Sequence, residues 1–208
     1  AGSAQWTHAA DGTVTHPSGQ AMYVKILPYD AAPNTWINTM VMSLVDPPIP
    51  TTPQTSTLGE SDFSVALLDD YTWTANTVEI RDDAADGWTQ GMQTGTILTA
   101  VVGAALEFSY STTSNNYVIV GISTTDGIHY NKVKWAAFMM YVGYANHGFY
   151  AEEFVNEGVD TTSVRNNVGA FNVNVWKRVR ISVVDAGGGQ VKALYEWKYG
   201  KQLLYTQI

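Results

Sequence analysis

The chain has 208 residues, a net charge of −8 and no cysteine. Charged residues make up only 14% of it, and no basic patch is visible, which argues against binding to nucleic acid or an anionic membrane surface. No apolar run reaches the roughly 18 residues a membrane-spanning helix needs, so no membrane insertion is expected.

The charge is lopsided. Lys25 is the single basic residue in 1–80, against eight acids; residues 81–208 hold ten bases and eleven acids. The start has neither a basic nor an apolar leader region, so no signal peptide is expected in the sequence as given. Abundant Gly, Ser, Thr and Asn suit an all-β protein with many turns. The absence of cysteine fits a cytosolic protein, and equally a bacterial or phage surface protein large enough to fold without disulfides.

Taken in order, residues 1–19 are polar with a turn at Asp11-Gly12. Residues 20–27 predict a strand with Met22, Val24 and Ile26 on one side, and 36–45 a second apolar strand. Four of the seven prolines fall between 47 and 53, so 46–60 is read as a stiff linker or surface arm. That reading divides the chain into an N-terminal β arm or small unit (1–45), a Pro/Thr-rich linker (46–60) and a β-sandwich (61–208). Within the last, strands are predicted at 63–68, 77–81, 97–110, 116–122, 133–142, 149–155, 176–184, 190–197 and 202–206. Asp86-Gly87, Ser114-Asn115-Asn116 and Asp126-Gly127 supply turns. No long helical period occurs, and short strands at this spacing indicate a sandwich or barrel.

The C-terminal end reads most clearly. Val179, Ile181 and Val183 alternate with Arg178, Arg180 and Ser182, which marks a strand with one dry face. Gly187, Gly188 and Gly189 permit a reversal. Val191, Ala193, Tyr195 and Trp197 then alternate against Lys192 and Glu196, Tyr199-Gly200 turns again, and Leu203-Leu204-Tyr205 returns. By phase, Trp197 is assigned to the core, as is Trp135 on its own alternating strand.

This run resembles the closing strands of concanavalin A-like jelly rolls, in the laminin-G-like form common in bacterial surface proteins and phage tail fibres. Arg180, Ile181 and Val183 carry the first part of the likeness, Val191 and Tyr195 the second, and Gly200, Leu203, Leu204, Tyr205 and Thr206 the last. Tyr199 stands where the family usually has Asn. Tyr117 to Ser123, Val133 to Met139 and residues 148–156 resemble further strands of the same family, so the likeness spans about 62–208. It implies an all-β antiparallel jelly-roll β-sandwich, and the tail-fibre likeness implies a homo-oligomer, a trimer. The fold hosts lectins, glycosidases and structural modules alike, so it selects no ligand by itself.

Catalytic patterns are sparse. Glycosidases of this fold aim alternate carboxylates of one strand into a cleft. The nearest stretch here is Val78 to Asp83, where Glu79 shares a face with Arg81 instead of a second acid. Glu152 and Glu153 are adjacent and would point to opposite faces of a strand. His8, His16, His129 and His147 lack zinc-ligand spacing, and no metal site or cofactor is expected. Calcium, which many lectins of this fold bind, would have Asp82, Asp83 and Asp86 as its carboxylates; their spacing is not that of an EF-hand, and a solvated turn is the simpler reading.

The aromatic content is richer, with seven Trp and twelve Tyr. Loop aromatics beside amides are the candidate contacts: Trp88, then His129, Tyr130 and Asn131, then Tyr144, Asn146 and His147. A non-enzymatic carbohydrate-binding or adhesion module of a phage fibre or bacterial surface protein is therefore expected, located on a virion or cell surface, with a cell-surface glycan or host receptor as partner. Two alternatives stay open: a structural subunit of a virion or extracellular filament whose N-terminal arm binds a neighbour, and a glycoside hydrolase.

Overall fold

A computed structural model describes residues 6–12, 15–29, 38–45, 55–67, 71–80, 91–95, 98–113, 117–124, 126–128, 137–144, 148–154, 164–169 and 174–200. Among these the regular structure is strand, apart from one 3-10 turn at Glu60–Asp62. The strands are β1 (Thr7–Asp11), β2 (His16–Pro17), β3 (Ala21–Tyr29), β4 (Asn38–Val45), β5 (Thr55–Thr57), β6 (Phe63–Leu67), β7 (Tyr71–Thr74), β8 (Thr77–Ile80), β9 (Gly91–Thr94), β10 (Leu98–Thr99), β11 (Ala105–Thr112), β12 (Tyr117–Ser123), β13 (Ala137–Tyr144), β14 (Gly148–Phe154), β15 (Val164–Gly169), β16 (Lys177–Gly187) and β17 (Gln190–Tyr199).

They form two antiparallel sheets. The first runs β1-β17-β16-β11-β4-β8-β7, with β2 also on β17 and β5 also on β4. The second runs β15-β14-β13-β12-β3-β9-β6, with β10 also on β3. One apolar cluster lies between them. Met40, Met42, Leu44, Phe108, Val179, Ile181 and Val183 enter it from the first sheet, and Met22, Val24, Ile26, Met92, Val118, Val120 and Ile122 from the second. Each set follows the period of two that one dry sheet face requires, so the chain is an all-β sandwich. Phe63 of β6 meets Trp73 of β7 with ring centroids 5.4 Å apart, linking the two sheets along one side.

The N-terminal division does not hold. Strand β3 lies inside the second sheet, paired with β12 across Tyr23 to Tyr29 and with β9 and β10 on its other side. Strand β4 lies inside the first, between β11 and the β5–β8 edge. Two short strands cannot bury their apolar faces alone, and these are buried by splitting them between the two sheets. The expected linker also contributes structure: Thr55–Thr57 pairs with Ser43 to Val45, and Leu58 is buried in the core. Residues 46–54 lie outside the described residues.

Most other predicted strands appear within a few residues of their expected bounds. Residues 97–110 divide into β10 and β11 around a turn at Val102-Gly103. Strands β1, β2, β5, β7, β9 and β15 have no counterpart among the predicted strands, and the return expected at 202–206 lies outside the described residues. The glycine turn is as expected: Gly187, Gly188 and Gly189 have φ of +83°, +62° and +78°. Residues with a side chain rarely adopt such backbone angles. The Asp185 carboxylate accepts a hydrogen bond from the Gly187 N–H at 2.9 Å, which helps fix the reversal.

Two predictions follow from this core. Phe108 is fully buried at the centre of the first sheet. Phe108→Ala is expected to cost about 3–5 kcal/mol of stability, measured by chemical denaturation. His16, buried on β2 against β17, has its imidazole held below the ordinary value of 6.5 by burial. The neutral ring is thus favoured in the folded chain. As pH falls below about 6.5 the unfolded chain takes up the proton first, and stability drops until the folded-state value is passed. His16→Gln should flatten that part of the melting-temperature profile.

Candidate functional site

Among the described residues, three places that bring polar or aromatic groups together stand out. The first is on the outer face of the second sheet. Lys25, the lone cation of the N-terminal part, is fully buried there, because Val24 and Ile26 on either side face the core. Its ammonium donates to the Gly127 carbonyl at 2.7 Å. Gln93, directly opposite Lys25 in the register, donates to the Asp126 carboxylate at 2.7 Å and accepts from the Gly127 N–H at 2.9 Å. Ile128 is buried beside them. The Asp126-Gly127 turn is therefore tied to the sheet by three bonds. A buried ammonium is costly unless bonded, and this one is used to hold a loop.

The second is the hairpin β16–β17. Five of the chain's eleven cations sit on it: Lys177, Arg178, Arg180, Lys192 and Lys198. On its outer face, Glu107 of β11 is only 3% exposed and pairs with both Arg178 and Arg180. Arg180 Nε donates to Glu107 Oε1 at 2.7 Å, and a longer pair of 3.7 Å joins Arg180 to Glu196. The half-buried Trp6 ring lies over this array, with its centroid 4.3 Å from the Arg180 guanidinium carbon, 4.3 Å from Lys198 Nζ and 5.3 Å from the Arg178 guanidinium carbon. Burial and the neighbouring Arg178 guanidinium hold the Lys198 ammonium below the usual lysine range.

The third is the open end of the same hairpin. Along β17, Tyr195 is fully buried, Trp197 is half-buried and Tyr199 is 50% exposed, so one face of the strand walks out of the core. Trp197 and Tyr199 meet edge to face with centroids 5.0 Å apart. The buried Lys177 places its ammonium 5.5 Å from the Trp197 ring and 5.9 Å from Tyr199, where ring faces partly replace water around the cation. Burial lowers the Lys177 pKa. It raises that of the Tyr110 phenol opposite, with the electrostatic influence of Tyr199 as a second cause. Gly200 takes the positive φ of the following turn (+114°), which leaves Tyr199 on extended backbone, and its N–H donates to the Trp176 carbonyl at 2.9 Å. Beside it Trp176 is half-buried and Val175 exposed.

Of the contacts expected from sequence, Trp88, His129, Tyr130, Asn131, Asn146 and His147 lie outside the described residues, as do Asp82, Asp83 and Asp86. Tyr144 is described in its backbone, ending β13 opposite Gly148. His129, Tyr130 and Asn131 directly follow Ile128 in sequence. Glu79 is exposed on β8, opposite Thr39 and Thr72. Among the described residues no three His, Asp or Glu side chains converge as a metal site would require, and no helix is long and apolar enough to cross a membrane. Trp197 is less buried than its phase implied, because β17 outruns the core. Nothing in the sequence pointed to Trp6 or Glu107.

No family model, curated protein or solved structure matches the chain.

Glu107 supports a direct test. Removing one member of a buried ion cluster leaves its partners uncompensated, at about 3–5 kcal/mol. Glu107→Ala is expected to lower the melting temperature by roughly 6–20 °C for a domain of this size. The loss should persist at high salt, because a buried pair is poorly screened.

Proposed function

We propose that the chain is a non-enzymatic carbohydrate-binding or adhesion module of the concanavalin A-like kind, from a phage fibre or bacterial surface protein. The observation that carries this reading is the Trp197–Tyr199 pair. Sugars offer apolar ring faces, and a protein holds them by stacking on rings that are exposed yet already fixed in place. Tyr199 meets both conditions: half its surface is open, and Trp197 and the ladder to Lys177 hold it on a strand. The tied Asp126-Gly127 turn adds support, since His129, Tyr130 and Asn131 follow it closely in sequence. Rigid scaffolds commonly present binding loops in this way. The resemblance over residues 62–208 points in the same direction.

A cell-surface glycan or host receptor is the partner of this reading, and a virion or cell surface its location. Strands β3 and β4 are interior strands here, so neither offers a free sheet edge to a neighbouring copy.

A glycan array probed with the purified chain is the direct test. Binding to at least one glycan class is expected, and turnover of a polysaccharide would overturn the reading in favour of a glycosidase. Tyr199→Ala is expected to weaken the bound glycan roughly tenfold, or ~1.4 kcal/mol, while the melting temperature stays nearly unchanged. Trp88→Ala should act likewise. Unaltered affinity in both folded variants would remove these rings from the site.

A further inference from the structure

We propose that the outer face of the first sheet, between Trp6 and Lys198, binds an acidic saccharide, with the sugar carboxylate on Lys198 and Arg180 and the sugar ring against the exposed part of the indole. The proposal rests on the carbohydrate-binding reading and adds a ligand class and a second place on the hairpin.

Charge is the first argument. The chain as a whole carries −8, yet three cations converge on this one ring. Among the described residues the carboxylates of this cluster are Glu107 and Glu196. Three positive charges against two negative leave the cluster at +1. Glu107 is buried and occupied by both guanidinium groups, and Glu196 reaches Arg180 only at 3.7 Å. Among the described residues Lys198 forms no ion pair at bonding distance; Glu107 and Glu196 act on it only from further off, and its direct contact is the indole.

Access is the second argument. The Arg180 side chain is 30% exposed and that of Glu196 20%, and Trp6 is half-buried, so the rim of the cluster is open to a ligand. Rigidity is the third. Glu107 fixes both guanidinium groups from below, so a ligand would meet cations already in position. The indole selects within the class of anions. A carboxylate on a pyranose ring offers an apolar face for stacking as well as the charge, whereas a peptide carboxylate offers the charge alone.

The test is calorimetric titration of the full chain with an oligogalacturonate and with the same oligosaccharide after its carboxyl groups are reduced to alcohols. The acidic form is expected to bind and the reduced form to bind at least tenfold more weakly, with affinity falling as salt rises. Lys198→Gln is expected to weaken the acidic ligand at least tenfold with an unchanged melting temperature. Glu196→Gln, which removes a competing carboxylate, should tighten it several-fold, and it provides an independent readout if Lys198→Gln fails to fold. Equal binding of the two oligosaccharides, or of the acidic one by both folded variants and the parent, overturns this site and leaves the carbohydrate reading standing. An oligoglutamate binding as tightly as the oligogalacturonate overturns the ligand class. Failure of this ligand together with a blank glycan array overturns both proposals.

Discussion

The register of β11, β16 and β17 is the constraint on which the molecule depends. Each strand presents alternate residues to opposite surroundings, so a slip of one residue would exchange them all. In the observed register Phe108, Val179 and Trp197 share one row across the three strands, and Glu107, Arg180 and Glu196 share the next. A slip would drive Arg178 and Arg180 into the core and bring Val179 and Ile181 out. The buried Glu107, bonded to both arginines, opposes that slip from the outer side, while the apolar rows oppose it from within. Ion clusters of this kind often add little net stability compared with apolar packing. Their value here is that they make only one alignment acceptable.

The same logic accounts for what could be read from the sequence. Local alternation identified β16 and β17, and the three glycines identified their turn, because all of this information lies within about twenty-five consecutive residues. Strand β9 is buried throughout, so no period of two could show, while β7 alternates Tyr71 and Trp73 with Thr72 and Thr74 over only four residues, too few to stand out. Strand β15, with its Arg165-Asn166-Asn167 run, is equally silent. The strands at 21–29 and 38–45 were legible as strands but not in their place. Their partners, β12 and β11, lie far along the chain, and a proline-rich stretch follows them. Proline signals extended chain poor in ladder donors, and it does not distinguish a linker from a connection within one sandwich.

Site residues were less legible for a related reason. Arg178 and Arg180 read as a polar face, but their carboxylate is some seventy positions away on another strand, and nothing local announces the pairing. Trp6 lies in a polar segment with no pattern to mark it as a cover. Tyr199 reads as a turn residue because it precedes Gly200, although the strand continues through it and the glycine alone takes the unusual angle. The alternation that identified Tyr195 and Trp197 as core carried no information about where the core ends.

That end is what turns a structural hairpin into a candidate binding element. A strand longer than the sheet it faces must bring its last inward-facing side chains into solvent, and in β17 these are aromatic. Exposed aromatics tend to raise aggregation, so their placement requires restraint. Here Trp197 meets Tyr199 edge to face, and Lys177 sits among the rings, which puts a charge inside an otherwise apolar patch. On the opposite face of the same strand, Lys198 stands between Trp197 and Tyr199 in sequence and belongs to the cation array beneath Trp6. Consecutive residues thus supply an aromatic surface on one side and contribute to a cation array on the other. Both are held by the register that Glu107 and the core enforce together, so a change that loosens Glu107 would disturb the two surfaces at once.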